Sequence, residues 1–285
     1  MKHIPPSTFY HQDWVALWQT MYDQEREQAE RITSVEFTSS DCWSGQSLRF
    51  AKAAQRVAQP DHFMRFLVPH LRATDTLIDI GAGTGRYELF LAQAVEHVYA
   101  VEPSTSMCKQ LVSQVTAAQL DNVTVLDSSW PDTDIATCDI SIAVNVLYGV
   151  REIEAFIRQM HAKTRRSCFI VLGFQHPASF IGPFWEQFHG EPRYPLPGAL
   201  ECFNVLYQMG MLVNLTVIPR TSRFRFEHEQ EALADLRWRL RLSKAQVSDT
   251  VLLDAMAKYL DRDEHGHLSP RNQRQHVAVI WWTHN

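Results

Sequence analysis

From residue 74 onward the chain repeats one alternation: a short, almost purely apolar run, a turn, then a segment with helical spacing. The apolar runs are TLIDI, HVYAVE, NVTVLD, CDISIAVNVLYG and SCFIVLGF. The helical segments between them are GRYELFLAQAV, STSMCKQLVSQVTAAQ and REIEAFIRQMHAKT. A strand wetted on one face alternates apolar and polar residues. These runs do not alternate, so both of their faces are covered. Strand and helix in strict succession, with buried strands, predict a doubly wound α/β fold with right-handed crossovers. Two later runs, MLVNLTVIP and QHVAVIWWT, bring the expected sheet to seven strands, mostly parallel.

The flanks of this alternation read differently. Residues 1–70 have helical spacing, as in DWVALWQTMYDQEREQAERI, SLRFAKAAQRVA and DHFMRFLVPHL, and are expected to form an N-terminal helical cap on a domain spanning 71–285. QHPASFIGPFWEQFHGEPRYPLPG, about 174–198, is rich in Pro, Gly and aromatic residues and too long for a simple connection, so it is expected to be a lid. A helical insertion is expected at about 221–272. CFNVLYQMGMLVNLTVIP carries no charge and has the length of a membrane span. Its Asn204, Gln208, Gly210 and Asn214 make it instead a helix end, a turn and a buried strand.

With 285 residues, 45% of them apolar and 21% charged, the composition is that of a globular protein. The net charge of −5 gives no basic field for nucleic acid or an anionic membrane. Five cysteines, Cys42, Cys108, Cys138, Cys168 and Cys202, are scattered without a CxxC pair, as in a reducing cytoplasm. No His or Cys set has metal spacing; His265 and His267 lack a partner, and no metal site is expected.

The informative stretch is LIDIGAGTGRYELF. A strand runs into Gly81, Ala82, Gly83 and Gly85 and then a helix. In an open parallel sheet, ligands sit outside the carboxyl ends of the strands. Glycines there let the backbone approach a ligand and tolerate positive φ. The spacing is GxGxG, not the GxGxxG of dinucleotide sites. Asp79, two residues before the first glycine, suits a cationic ligand better than a pyrophosphate. Glu102 ends the second strand, where an acid can accept from ribose hydroxyls. Asp127 ends the third strand and is followed by Ser128.

This series resembles the class I S-adenosylmethionine-dependent methyltransferase superfamily: Asp79-Ile80-Gly81-Ala82-Gly83-Thr84-Gly85, then Glu102-Pro103-Ser104, Asp127-Ser128, and Asp139-Ile140 through Asn145-Val146-Leu147-Tyr148. The resemblance covers roughly Thr74 to Gly173, and the last strand fits the family's antiparallel seventh strand. It implies a Rossmann-like methyltransferase fold with S-adenosylmethionine as cofactor and S-adenosylhomocysteine as product. Asp79, Gly81, Ala82, Gly83 and Gly85 would hold the amino-acid end. Glu102, with Pro103 and Ser104, would clamp the ribose. Met107, Asp127 and Ser128 would meet the adenine, and Asn145 would lie by the methionine moiety.

Methyl transfer from a sulfonium needs alignment more than acid–base help. No catalytic residue is therefore fixed by the sequence; Tyr148, His176 and His189 are candidate bases. Tyr10, Trp14, Trp18 and Tyr22 could line a flat acceptor site or simply pack a helix. The fourth-strand motif reads NVLYG, without the prolines of the family's nucleobase and glutamine N-methylating branch. The expected function is methyl transfer to a small-molecule acceptor in the cytoplasm, with no nucleic acid or membrane partner and no oligomeric state indicated. The alternatives are an inactive S-adenosylmethionine-binding or regulatory protein, an NAD-dependent oxidoreductase, and a protein or tRNA methyltransferase.

Overall fold

A computed structural model of the chain describes residues 12–32, 60–220, 224–271 and 275–284. The segment SLRFAKAAQRVA, Tyr10 and Cys42 lie outside the described residues. The elements are α1 (Trp14–Ile32), α2 (His62–Leu67), β1 (Thr76–Ile80), α3 (Glu88–Ala94), β2 (His97–Glu102), α4 (Thr105–Ala117), β3 (Val123–Asp127), β4 (Cys138–Val144), α5 (Ile153–Ala162), β5 (Thr164–Gly173), α6 (Gly182–His189), α7 (Ala199–Gln208), β6 (Asn214–Pro219), α8 (Glu229–Leu240), α9 (Asp249–Tyr259), β7 (Leu260–Arg262), β8 (Leu268–Pro270) and β9 (His276–Thr283).

Seven strands form one sheet in the order β3-β2-β1-β4-β5-β9-β6. The first five are parallel, and β9 slots in antiparallel between β5 and β6. The chain order reverses between β1 and β4, so the loops after these strands open a crevice at the carboxyl edge. The apolar runs split by strict period two between two cores. Ile78, Ile80, Ile170, Leu172, Ala278 and Ile280 face one layer with α5 and α7. Leu77, Ile140, Ile142, Phe169, Val171 and Val279 face the other, with α2 and α3. Each fully buried side chain of this size contributes about 1.5–3 kcal/mol, which explains why runs without polar interruption persist here.

Of the expected N-terminal cap, the described helices join both layers. Asp13 caps α1 by accepting the Ala16 N–H at 3.0 Å, and Gln208 at the end of α7 donates to the same carboxylate at 3.0 Å. α1 places Trp18, fully buried, among residues of α5 and α7, where its indole donates to the Val150 carbonyl at 2.8 Å. Trp18 is thus a packing residue and does not line an acceptor site. On the opposite layer α2 buries Phe63, Met64 and Leu67.

The lid and the insertion fold together. The stretch expected as a lid contains α6, and its Phe184 and Trp185 are buried with Leu233, Leu236 and Leu240 of α8 and Leu252 and Met256 of α9. The helical insertion expected at about 221–272 holds two helices, α8 and α9, because Arg241 takes a left-handed conformation and stops α8. A strap from Glu191 to Tyr194 is tied to α1: Gln28 donates to the Pro192 carbonyl and accepts the Tyr194 N–H, both at 2.8 Å, and Arg193 pairs with Glu25 at 2.5 Å. The uncharged stretch from Cys202 is α7, a turn at Gly210 with φ +79, and β6, which is not the buried strand expected but an edge strand in which only Ile218 is buried. Among the described residues no helix is long and apolar enough to cross a membrane.

Trp18→Ala should destabilise the fold by about 3–5 kcal/mol, and Trp18→Phe by less, since the ring volume is largely kept and only the bond to Val150 is lost. Urea unfolding of both variants checks this; equal stability of Trp18→Ala and wild type would remove α1 from the core.

Candidate functional site

The three glycines of the turn after β1 all have positive φ, +75, +62 and +89, but for different surroundings. A Cβ on Gly81 would lie 2.5 Å from Val146 Cγ2, and one on Gly85 would lie 2.7 Å from Leu111 Cδ1. A Cβ on Gly83 would meet nothing within 4 Å. Gly81 and Gly85 therefore serve close packing against the loop after β4 and against α4. Only Gly83 faces open space, which narrows the expectation that all three clear room for a ligand. The helix begins at Glu88, not at Gly85 as its apolar spacing suggested, because residues 85–87 complete the turn.

Glu102 fixes this turn. Its carboxylate is buried at the end of β2 and accepts the Gly83 N–H at 2.8 Å and the Ser104 N–H at 2.8 Å. Ser104 caps α4, accepting the Met107 N–H at 3.3 Å, so its hydroxyl is engaged by the helix. Pro103 is exposed and Met107 buried in the first turn of α4. In the sheet register Asp127 lies beside Glu102, exposed at the tip of β3, and Ser128 pairs its hydroxyl with Thr133 at 2.8 Å. Asn145, at the tip of β4, has φ +59 and an exposed side chain, a strained conformation that Asn tolerates better than most residues. These positions all lie along the carboxyl edge of β1 to β4.

Behind the turn sit two further carboxyls. Asp79 and Glu88 are both buried. Burial, then the charges of Glu88 and Glu102, pushes Asp79 well above the usual carboxylate range. Burial also raises Glu88, with the charge of Glu102 adding to it. Glu88 Oε1 is buried without a hydrogen-bond partner, while Oε2 accepts the Tyr87 N–H at 3.1 Å. Asp79 and Glu88 hydrogen-bond each other, and a buried acid pair with raised pKa fits a cationic ligand such as an ammonium group. Glu88 escaped the sequence reading because it looks like an ordinary first-turn acid of a helix. Its only signal was a charge inside the apolar run YELFL.

The turn is braced from the outer layer. Asp61, which caps α2, accepts from Arg86 at 2.6 Å and from the Tyr87 hydroxyl at 3.2 Å.

The candidate bases separate. Tyr148, in the loop after β4, is buried, accepts the Gly173 N–H at 2.6 Å and meets the His176 ring edge-on at 4.7 Å. Burial pushes its phenol up to about 12, so it stays protonated. Burial and the charges of Arg193, Arg239 and Arg220 push His176 down to about 3, leaving a neutral, weakly basic ring whose Nδ1 accepts the Ala178 N–H. His189 is not with them: its Nε2 pairs with the Leu240 carbonyl at 2.9 Å and its ring packs on Trp185, which makes it a strut between α6 and α8. Among the described residues no three His, Cys, Asp or Glu groups are placed to hold a metal. A solvent-open groove of about 500 Å³ between α6 and α9, lined by Glu186, Asp254 and Lys258 among others, is built on the insertion and does not involve the strand tips.

The family model for DREV methyltransferase matches residues 52–191, which span the glycine turn, Glu102 and the tips of β3 to β5. The chain is a class I S-adenosylmethionine-dependent methyltransferase. An uncharacterized protein of Haemophilus influenzae is 24% identical to this methyltransferase over 246 residues, covering 84% of this chain and 88% of that protein. The YcgJ protein of Bacillus subtilis shares its fold, with a TM-score of 0.52 and 11% identity, over 77% of this chain and 96% of that one. A SAM-dependent methyltransferase from Aquifex aeolicus aligns over 62% of this chain and 93% of that one, at 16% identity and a TM-score of 0.49.

The cofactor is S-adenosylmethionine, and the residues present fit it: carboxyls for its ammonium group, an open Gly83, and an acid at the end of β2. We propose that Asp79, Glu88 and the Gly83 backbone would hold its amino-acid end, Glu102 its ribose, and Asp127 and Asn145 the adenine edge and the methionine moiety. Glu102→Ala should weaken S-adenosylmethionine binding by about 1–3 kcal/mol. An unchanged dissociation constant by calorimetry would remove the ribose assignment.

The raised carboxyls carry a pH dependence. A carboxyl whose folded pKa is raised binds its proton more tightly folded than unfolded. Its stabilisation is full below about pH 4 and is lost as pH rises toward the folded value. The cofactor-free melting midpoint should therefore fall with rising pH, and the upward shift given by S-adenosylmethionine should grow. Glu88→Gln should flatten both trends and weaken binding about tenfold. Parallel pH profiles of variant and wild type would place Glu88 outside the site.

Proposed function

We propose that this methyltransferase acts on a small molecule with an aromatic or apolar body, which enters over the tips of β4 and β5. The observation that carries this reading is the character of that edge. Tyr148 and His176 meet edge-on there, one a protonated phenol and the other a neutral ring, with the Arg220 guanidinium beside the phenol. The net charge of −5 offers no field for a polyanionic acceptor. Four cysteines, Cys108, Cys138, Cys168 and Cys202, are free and buried, which suits a reducing compartment, and we place the enzyme in the cytoplasm.

When bound, S-adenosylmethionine supplies an activated methyl on a good leaving group. The chain's own work is alignment and exclusion of water. Gly83 and Glu102 fix the depth of the cofactor site. Asn145 marks the junction between the cofactor and the acceptor. Tyr148, protonated throughout the working range, donates a hydrogen bond and does not take a proton. His176, with its pKa held near 3, is a poor base at neutral pH. The acceptor atom therefore arrives already nucleophilic, as an amine, thiolate or acidic hydroxyl does.

The experiment is incubation of the purified enzyme with methyl-labelled S-adenosylmethionine and a cell extract, followed by separation into small molecules, protein and RNA. Label should appear in the small-molecule fraction and depend on Glu102. Label confined to protein or tRNA would reverse the acceptor assignment. Cofactor binding without label anywhere would favour a binding or regulatory role.

A further inference from the structure

The carboxyl edge of the sheet carries a second charged group, opposite in sign to the acids behind the glycine turn. Arg220 directly follows Pro219, the last residue of β6. β5 and β6 both run antiparallel to β9, so their carboxyl ends share one edge. The Arg220 N–H pairs with the Gln275 carbonyl at 2.7 Å and fixes the root of the side chain there. The guanidinium then reaches back across β9. A Cβ on Gly173, the last residue of β5, would lie 2.6 Å from Arg220 Nη2 and 3.1 Å from the Tyr148 hydroxyl oxygen. Gly173 is the floor on which a cation and a phenol converge.

Among the described residues Arg220 has no ion pair, and its buried Nε has no hydrogen-bond partner. Its neighbours do not neutralise it. Tyr148 holds its proton, and His176 is neutral. The other two arginines near His176 are engaged: Arg193 with Glu25 at 2.5 Å, Arg239 with the fully buried Asp235 at 2.8 Å. Burial pulls the pKa of Arg220 below its ordinary value, the sign of a desolvated charge without a counter-ion. Such a charge destabilises a fold unless its partner arrives with a ligand.

We propose that Arg220, with the Tyr148 hydroxyl beside it, is the subsite for a carboxylate on the methyl acceptor. One unpaired cation and one neutral donor match a monoanion, and the guanidinium fork matches a planar carboxylate; a phosphate dianion would leave a negative charge uncompensated. In the sheet order β1-β4-β5, Gly173 stands two strand spacings, about 10 Å, from the glycine turn. An acceptor anchored at Arg220 thus lies across the tip of β4 and presents its far end toward Asn145. The assignment rests on the small-molecule reading above and narrows it to acids.

The test is calorimetric titration of the S-adenosylhomocysteine-loaded enzyme with benzoate and with benzamide, its neutral isostere, in wild type, Arg220→Gln and Arg220→Met. Benzoate should bind wild type at least about tenfold more tightly than benzamide, and both variants should lose that preference while holding S-adenosylhomocysteine within about twofold. The cofactor-free variants should melt at or above the wild-type midpoint, since an unpaired buried charge has been removed. Equal binding of the two probes, undiminished benzoate binding in the variants, or no saturable benzoate binding up to about 50 mM overturns the proposal. So does a lowered midpoint in both variants, which would make Arg220 a structural residue. The labelling assay reports on the small-molecule reading and this titration on Arg220, so the two fail separately.

Discussion

The bond from Gly83 N–H to the Glu102 carboxylate holds the candidate site together. It joins the tip of β2 to the turn after β1, and the same carboxylate accepts the first free N–H of the α4 cap. A buried carboxylate without partners would be costly; two backbone N–H donors make its ionised form tolerable and specify where the chain must turn. Other features follow from this placement. Gly81 must come within contact of Val146, which sets how near the β4 loop lies to the turn. With the charge of Glu102 close by, Asp79 and Glu88 cannot both ionise cheaply, and both carboxyls are held above their ordinary range.

Much of the fold was legible because burial on both faces of the inner strands, and an apolar run even in the edge strands β3 and β6, leaves a strong local trace. The seven strands, the glycine turn and the acid after β2 each show within a window of ten residues. What remained hidden depends on contacts distant in sequence. Nothing within the 174–198 segment indicates that Phe184 and Trp185 are covered by helices beginning at Glu229, since an aromatic-rich lid and an aromatic-rich core segment read alike. Trp18 looked equally suited to an acceptor wall or to packing, and only the position of α5 and α7 decided between them. Glycine spacing indicated a tight turn but could not say which glycine faces space, because that depends on Leu111 and Val146.

The candidate site shows the same division. Acids at strand tips were visible as strand endings. Glu88 was hidden inside a helix start and Arg220 after an unremarkable β6, because a missing partner is a property of three-dimensional surroundings. Of the candidate bases, His189 was sequence-equivalent to His176, yet a single bond to the Leu240 carbonyl makes it part of the scaffold.

Taken together, the strand tips form a charge gradient along one edge, with acids at β1 and β2 and an arginine beyond β5. This polarity bears on turnover. Were S-adenosylmethionine held at the glycine turn and a carboxylate at Arg220, as proposed, its sulfonium would be favoured from both sides before transfer. Transfer would neutralise the sulfur and remove one charge to which the edge is complementary. The spent cofactor would then keep only the hold on its ammonium group and ribose. Interactions lost on passing from substrate to product speed release without weakening the ground state beforehand. A site with no strong base can still turn over in this way, because its electrostatics are arranged for the charge that disappears and not for a proton that moves.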